Sequence, residues 1–151
     1  ELERAGYPSL APILDSRFVS VRRPDPKKLP GRSFTSVWSE RHVAYACGLG
    51  TFGLSKGLIT KTGIAGRFGS VVTTLELAPT MREYDGVYEY CVMCGACVRR
   101  CPAKAITIEN GKSHQICVEF VDGIKKKFAP RYGCGKCQVG VPCQGRSPRK
   151  P

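Results

Sequence analysis

One short stretch constrains this 151-residue chain more than any other. Cys91, Cys94 and Cys97 recur at every third position, and Cys101-Pro102 closes the run. Three thiolates from one short loop can converge on one corner of an inorganic cube, and a proline turns the chain away after the fourth. The spacing C-x2-C-x2-C-x3-C-P is typical of [4Fe–4S] ligation, in which the fourth cysteine ligates a second cluster. The run therefore predicts a second set of ligands elsewhere in the chain.

That second set follows with less regular spacing. Cys117 stands alone, and Cys134, Cys137 and Cys143 close the chain as C-x2-C-x5-C. We therefore predict two [4Fe–4S] clusters that use eight of the nine cysteines. With the fourth cysteine of the first run crossing over, the predicted ligands are Cys91, Cys94, Cys97 and Cys143 for one cluster, and Cys101, Cys117, Cys134 and Cys137 for the other.

The cysteine pattern has two alternative interpretations. A disulfide scaffold is disfavoured because nine is an odd number and C-x2-C spacings make short, strained loops. Zinc could be held by Cys91, Cys94, Cys134 and Cys137, although this site would leave five cysteines unused. Thiols kept reduced for metal ligation indicate a cytoplasmic location.

The chain is strongly basic, with 24 Lys and Arg against 12 Asp and Glu and a formal charge of +12. Two oxidised clusters with their thiolates would lower this charge to about +8. Such a surface suits an acidic redox partner protein or a polyanion such as tRNA, while an ordinary solvated face is the simpler interpretation. The basic residues of the cysteine-rich half include Lys125, Lys126, Lys127, Arg131, Arg146, Arg149 and Lys150.

The chain divides into two expected parts, residues 1–80 and residues 81–151. Its apolar runs are too short for a membrane span, because residues 43–54 are interrupted by three glycines. Prolines prevent a long helix in residues 1–35, and residues 22–31 resemble a surface connection. The expected elements are a strand at 18–21, a helix at 37–47 capped by Ser36, strands at 57–61 and 68–77, a helical turn at 103–106, a hairpin at Asn110-Gly111 and a helix at 117–128.

A glycine-rich segment follows the first predicted helix. Gly48, Gly50 and Gly53 satisfy G-x-G-x-x-G, but a dinucleotide fingerprint must follow a strand and open a helix. The fingerprint also requires an acidic residue, roughly 20 positions further on, that binds a ribose hydroxyl, and this chain has none there. These glycines are therefore expected to permit a turn or close backbone approach to a bulky group.

Several blocks together resemble the epoxyqueuosine reductase family and its reductive dehalogenase relatives. They are residues 39–53, Leu58-Ile59-Thr60, residues 67–72, and the closing segment 132–138. The resemblance implies an α+β chain, in which part of an α/β corrinoid-reductase core precedes a two-cluster ferredoxin-like module. It also implies that Gly48, Gly50 and Gly53 belong to a cobalamin-binding core, and that a flavodoxin- or ferredoxin-like protein supplies the electrons.

The chain departs from that family at three points. Pro142 precedes Cys143 instead of following it, and no acidic proton donor stands near Ser33-Phe34-Thr35. Much of the expected corrinoid-binding region is also missing, so the chain resembles a C-terminal fragment. No nucleophile–base pair is visible, Cys47 is expected to be a small buried residue, and catalytic residues stay unassigned. Three functions stay open: an electron-transfer module, a corrinoid-dependent reductase and an RNA-directed protein.

Overall fold

A computed structural model describes residues 1–22, 24–25, 27–28 and 34–149. The strands are Ser9–Leu10 (β1), Ser20–Arg22 (β2), Phe34–Ser36 (β3), Gly50–Phe52 (β4), Leu58–Thr60 (β5), Val72–Thr73 (β6), Ile106–Thr107 (β7) and Gly111–Lys112 (β8). The helices are Glu40–Ala46 (α1), Ala96–Arg100 (α2) and His114–Phe128 (α3), with short 3-10 turns at Glu3–Ala5 and Pro12–Leu14. Ser33, Lys150 and parts of the predicted connection 22–31 lie outside the described residues.

The described strands form four separate antiparallel pairs: β1 with β6, β2 with β3, β4 with β5, and β7 with β8. Three of these pairs join strands that are neighbours in sequence. The pair β1–β6 instead brings Ser9 opposite Thr73 and ties the start of the chain to the end of its first half. Small helices and small antiparallel sheets confirm the α+β prediction at that level, and the corrinoid-reductase core and the ferredoxin module stay predictions.

The local sequence signals of the first half predict some of its elements correctly and misplace others. Helix α1 begins after Ser39, not Ser36, because Ser36 is paired in β3. It ends where Gly48 adopts a φ of 80°, which lets Leu49 N–H reach the carbonyl of Ala44. The strand predicted over residues 68–77 shrinks to β6, since its only partner in the described residues is the two-residue β1.

The second half follows its local signals more closely. The Asn110-Gly111 hairpin is confirmed as β7–β8, with Gly111 at a φ of 63°. Helix α3 begins three residues before its predicted start, where the Ser113 hydroxyl accepts the Ile116 N–H. The helix expected at 103–106 is wrong: the helix here is α2, and Ile106 belongs to β7.

The hydrophobic core joins the two halves. Ile59 and Ile64 pack with Tyr84, Tyr90 and Val141, all of them at most 8% exposed. The Tyr84 and Tyr90 rings meet edge to face with centroids 5.6 Å apart. The division at residue 80 stays a prediction, and core residues come from both sides of it. Within the described residues, no helix combines the length and apolar character needed to cross a bilayer.

Candidate iron–sulfur centre

Four cysteines, which we name the first cysteine set, line one small apolar cavity: Cys91, Cys94, Cys97 and Cys143. The loop before α2 supplies the first two, α2 carries Cys97, and the chain end brings Cys143 back to them. Burial raises the pKa of the Cys143 thiol to about 11, and the neighbouring thiols of Cys91, Cys97 and Cys94 add to the shift. Burial likewise raises the pKa of Cys97. Cys97 and Cys143 are therefore the partly desolvated members of this set, whereas Cys94 is exposed.

The walls of this cavity belong to the hydrophobic core. Ile59, Ile64 and Val141 line it, and three of the four cysteines pack against the core cluster. Its volume is about 20 Å³, room for roughly one water molecule. Its four thiols are the donors that an iron–sulfur cluster requires, and its free volume is smaller than that of the second cavity described below.

The predicted cofactor glycines fall into three different local roles. Gly48 ends α1, as described above. A Cβ on Gly50 would lie 2.0 Å from the Ile59 carbonyl oxygen, so Gly50 is required for the close pairing of β4 with β5. Gly53 lines the first-set cavity, where an added Cβ would lie 3.8 Å from the Cys91 sulfur. Gly53 alone of the three therefore borders a cysteine cavity, and cobalamin contact by these residues stays a prediction.

The second cysteine set lines a much larger cavity of about 520 Å³ and consists of Cys101, Cys117, Cys134 and Cys137. Cys101 follows α2, Cys117 lies on α3, and the loop after α3 supplies the remaining two. Cys134 is exposed. The Ala105 N–H donates to the Cys101 sulfur at 3.2 Å, a contact of the kind that stabilises a thiolate ligand. Donor set and volume both fit a [4Fe–4S] cluster here.

Charged residues surround the second-set cavity, and the sequence analysis missed them. Arg41, Arg67 and Lys112 line it together with Glu40. Both Glu40 carboxylate oxygens are buried, and neither has a hydrogen-bond partner among the described residues. Burial raises the pKa of Cys137, while Lys112 opposes that shift. No spacing rule relates Glu40 or Arg67 to the cysteines, so only the fold could bring them together.

The two cavities share a wall. Cys137 and Ile64 line both of them, and the Cys137 thiol contributes to the raised pKa of Cys97. The zinc alternative fits poorly, because Cys91 and Cys94 line one cavity and Cys134 lines the other. Across the described ranges, no three Cys, His, Asp or Glu side chains are close enough to hold a single ion. The assignment of each cysteine to a cluster stays a prediction.

The ninth cysteine lies apart from both sets. Cys47 caps the end of α1 and lines neither cysteine cavity. It is exposed, so the expectation of a buried residue is wrong. The physical reason is the glycine turn that follows it, which leads the chain away from α1 before any element covers the thiol.

Comparison with known proteins supports the iron–sulfur interpretation. A family model for the 4Fe-4S binding domain matches residues 86–107. A tetrachloroethene reductive dehalogenase of Desulfitobacterium hafniense is 44% identical over 69 residues, 45% of this chain and 12% of that protein. A trichloroethene reductive dehalogenase of Dehalococcoides mccartyi is 32% identical over 75 residues, 48% of this chain and 14% of that protein.

A third relative matches over a longer stretch. An epoxyqueuosine reductase of Staphylococcus aureus is 29% identical over 135 residues, which cover 83% of this chain and 34% of that protein. The chain thus spans between 12% and 34% of the length of these relatives. No solved structure matches it significantly. Together, these similarities identify an iron–sulfur, reductase-like chain with a 4Fe-4S binding segment suited to electron transfer.

Proposed function

We propose that this chain is an electron-transfer module with two [4Fe–4S] clusters, one on each cysteine set. The observation that carries the proposal is that seven of the eight cysteines each line one of two adjoining cavities, and the eighth, Cys137, lines both. Because Cys137 and Ile64 line both cavities, the two clusters of this proposal would be neighbours, and an electron would pass directly from one to the other.

The chemistry divides between the inorganic group and the chain. When bound, a [4Fe–4S] cluster supplies reversible uptake of one electron. The thiolates hold it, the apolar wall of Ile59 and Val141 excludes water at the first set, and the Ala105 N–H offsets negative charge on Cys101. These contacts tune how readily each set accepts an electron.

The electron enters at the second set in this proposal, because its cavity is the larger one and is lined by cations. Arg67 is exposed at this cavity, and Arg41 and Lys112 also line it. A positive rim attracts an acidic carrier at long range, as expected for a flavodoxin- or ferredoxin-like donor. Binding of tRNA rests on net charge and resemblance alone and stays a prediction.

Anaerobic reconstitution tests the cofactor content. About eight irons and eight sulfides should bind per chain, four of each per cluster. Reduced flavodoxin should then reduce the protein at a rate that falls with rising salt, because salt screens the attraction. Arg67→Glu should slow this reduction several-fold at low salt, while the matched control Arg4→Glu, which makes the same charge change away from both cavities, should do so less.

Two results would contradict the proposal. A colourless reconstituted protein, or one with a single zinc, would remove the two-cluster assignment. Full iron content with equal donor rates in Arg67→Glu and Arg4→Glu would retain the clusters and reject this docking surface.

A corrinoid-dependent reductase is the second candidate, favoured by similarity that reaches well outside the cysteine segment. The match to the epoxyqueuosine reductase covers 83% of this chain, whereas the 4Fe-4S model covers only residues 86–107. In this function the first half would help to hold cobalamin, and the two cysteine sets would supply it with electrons. A shift of the corrinoid absorption on titration with the reconstituted protein would support this candidate, and an unchanged spectrum would reject it.

A further inference from the structure

A separate cavity of about 590 Å³ contains none of the cysteines in its lining. It lies between α1, β4, the segment at Val87-Tyr88 and the start of α3. The Phe52 N–H donates to the Val87 carbonyl at 2.7 Å and fixes that segment against β4. Arg41 and Lys112 line both this cavity and the second-set cavity, so the two adjoin.

Aromatic rings form one wall of this cavity. The Phe52 ring lies 5.1 Å from the His42 ring and 5.9 Å from the Tyr45 ring, measured between centroids. Tyr88 adds a fourth ring and is 48% exposed. Such a wall is suited to a flat heteroaromatic group, since stacking of one base on an aromatic side chain contributes about 1–3 kcal/mol.

Cations form the other part of the lining. Arg41, Lys56 and Lys112 line the cavity, and none of its described lining residues is acidic. An Arg41 N–H donates to the backbone carbonyl of Lys56, which anchors the guanidinium to the chain at Lys56. Lys56 adopts a φ of 55°, a conformation that a lysine rarely takes.

The Arg41 guanidinium carries an electrostatic cost in this position. Burial lowers its pKa, and no carboxylate in the described parts of the chain pairs with it. A partly desolvated cation is stabilised by an anion that reaches it, and a phosphate accepts several charge-assisted hydrogen bonds at once.

We propose that this cavity binds a mononucleotide, with its ring against Phe52 and Tyr88 and its phosphate among Arg41, Lys56 and Lys112. The chemistry required is a planar heteroaromatic ring joined to a phosphate. Flavin mononucleotide and adenosine monophosphate both have it, and they serve as the two probes. The site does not depend on the proposed electron transfer.

The test uses the reconstituted, cluster-loaded protein in anaerobic equilibrium dialysis against each probe. Riboflavin and inorganic phosphate serve as half-probes that lack the phosphate or the ring. Lys56→Gln removes one cation and Tyr88→Ala removes one ring, so each should weaken binding about tenfold. The matched controls Lys61→Gln and Tyr7→Ala remove the same groups outside this cavity and should leave binding unchanged.

Tyr88→Phe keeps the ring and should restore binding, which separates stacking from a folding defect; iron content and circular dichroism check the fold of every variant. The proposal is supported if either probe binds and these substitutions weaken its binding. The probe that binds more tightly identifies the preferred ring. The proposal is overturned if neither probe binds, or if the double variant of Lys56 and Tyr88 binds as the parent does. If the chain binds a nucleotide but takes up no iron on reconstitution, the proposed electron transfer is rejected and the nucleotide site is retained.

Discussion

The two cysteine sets have the same donors but opposite surroundings. The first set is packed against the hydrophobic core around a cavity of about 20 Å³, whereas the second borders a cavity of about 520 Å³. Apolar side chains wall the first, while Glu40, Arg41, Arg67 and Lys112 line the second. Each set has one exposed cysteine, Cys94 in the first and Cys134 in the second. The sets therefore differ in free volume and in charged lining, which are the surroundings that control water access and charge at a metal site.

The strongest test of this comparison removes one ligand. Cys101→Ser should abolish the cluster of the second set and spare that of the first, so bound iron should fall by roughly half. The Cys47→Ser control should keep all the iron, because Cys47 lines neither cavity. Iron analysis with EPR of the reduced protein measures both. Loss of the first cluster alone would show that Cys101 belongs to the first set.

The next largest expected effect is a difference in the rate at which air destroys the two clusters. The cluster at the open second cavity should bleach several-fold faster than the one walled by the core, because oxygen and water reach it directly. Absorbance and EPR followed in time measure the decay, and Cys101→Ser isolates the slow phase. Equal decay rates would mean that the closed first cavity does not protect its cluster.

A core substitution beside the first set should destabilise the chain more than a substitution on the exposed surface of α3. Ile59 is 1% exposed and lines only the first-set cavity of the two, so Ile59→Ala should cost about 2–5 kcal/mol of unfolding free energy. Ile116 on α3 is 45% exposed, and Ile116→Ala should stay within about 0.5 kcal/mol. Anaerobic urea unfolding compares the two variants. Similar losses in both would show that the first set is not supported by the core.

The smallest expected effect concerns Tyr84 beneath the first set. Its hydroxyl donates to the Tyr45 carbonyl and accepts the Gly50 N–H at 3.4 Å, so Tyr84→Phe should cost about 0.5–1.5 kcal/mol near pH 8. Burial raises the pKa of Tyr84 above its usual value of 10.0. The folded chain then holds this proton more tightly than the unfolded chain, so stability is full below pH 10 and falls as the pH rises beyond it.

Tyr84→Phe lacks this alkaline loss, and its deficit should therefore shrink above pH 10. Urea midpoints measured at several pH values for both proteins provide the check. A deficit that stays constant with pH would show that the Tyr84 proton is held equally in the folded and unfolded chain.

The sequence by itself predicted the ligands and determined several local elements. The spacing from Cys91 to Cys101 predicts a [4Fe–4S] segment because it concerns one loop, and the hairpin at Asn110-Gly111 and helix α3 also follow from nearby residues. The sequence located helix α1 but not its cap, since Ser36 pairs with Ser20 of β2, a contact that the local helix signals do not contain. Cys47 was misjudged for the same reason, because burial depends on what else packs nearby.

Only the tertiary structure decided the environment of each site. It brought Ile59 and Ile64 from the first half against Cys91, Cys97 and Cys143. It also placed charged residues of α1 beside the second set, and the rings and cations of a third cavity next to it. The spacing of cysteines in a short loop determines which of their sulfur atoms can reach one metal centre. Shielding, charge and shared walls depend on residues far apart in the chain, and those meet only when the core forms.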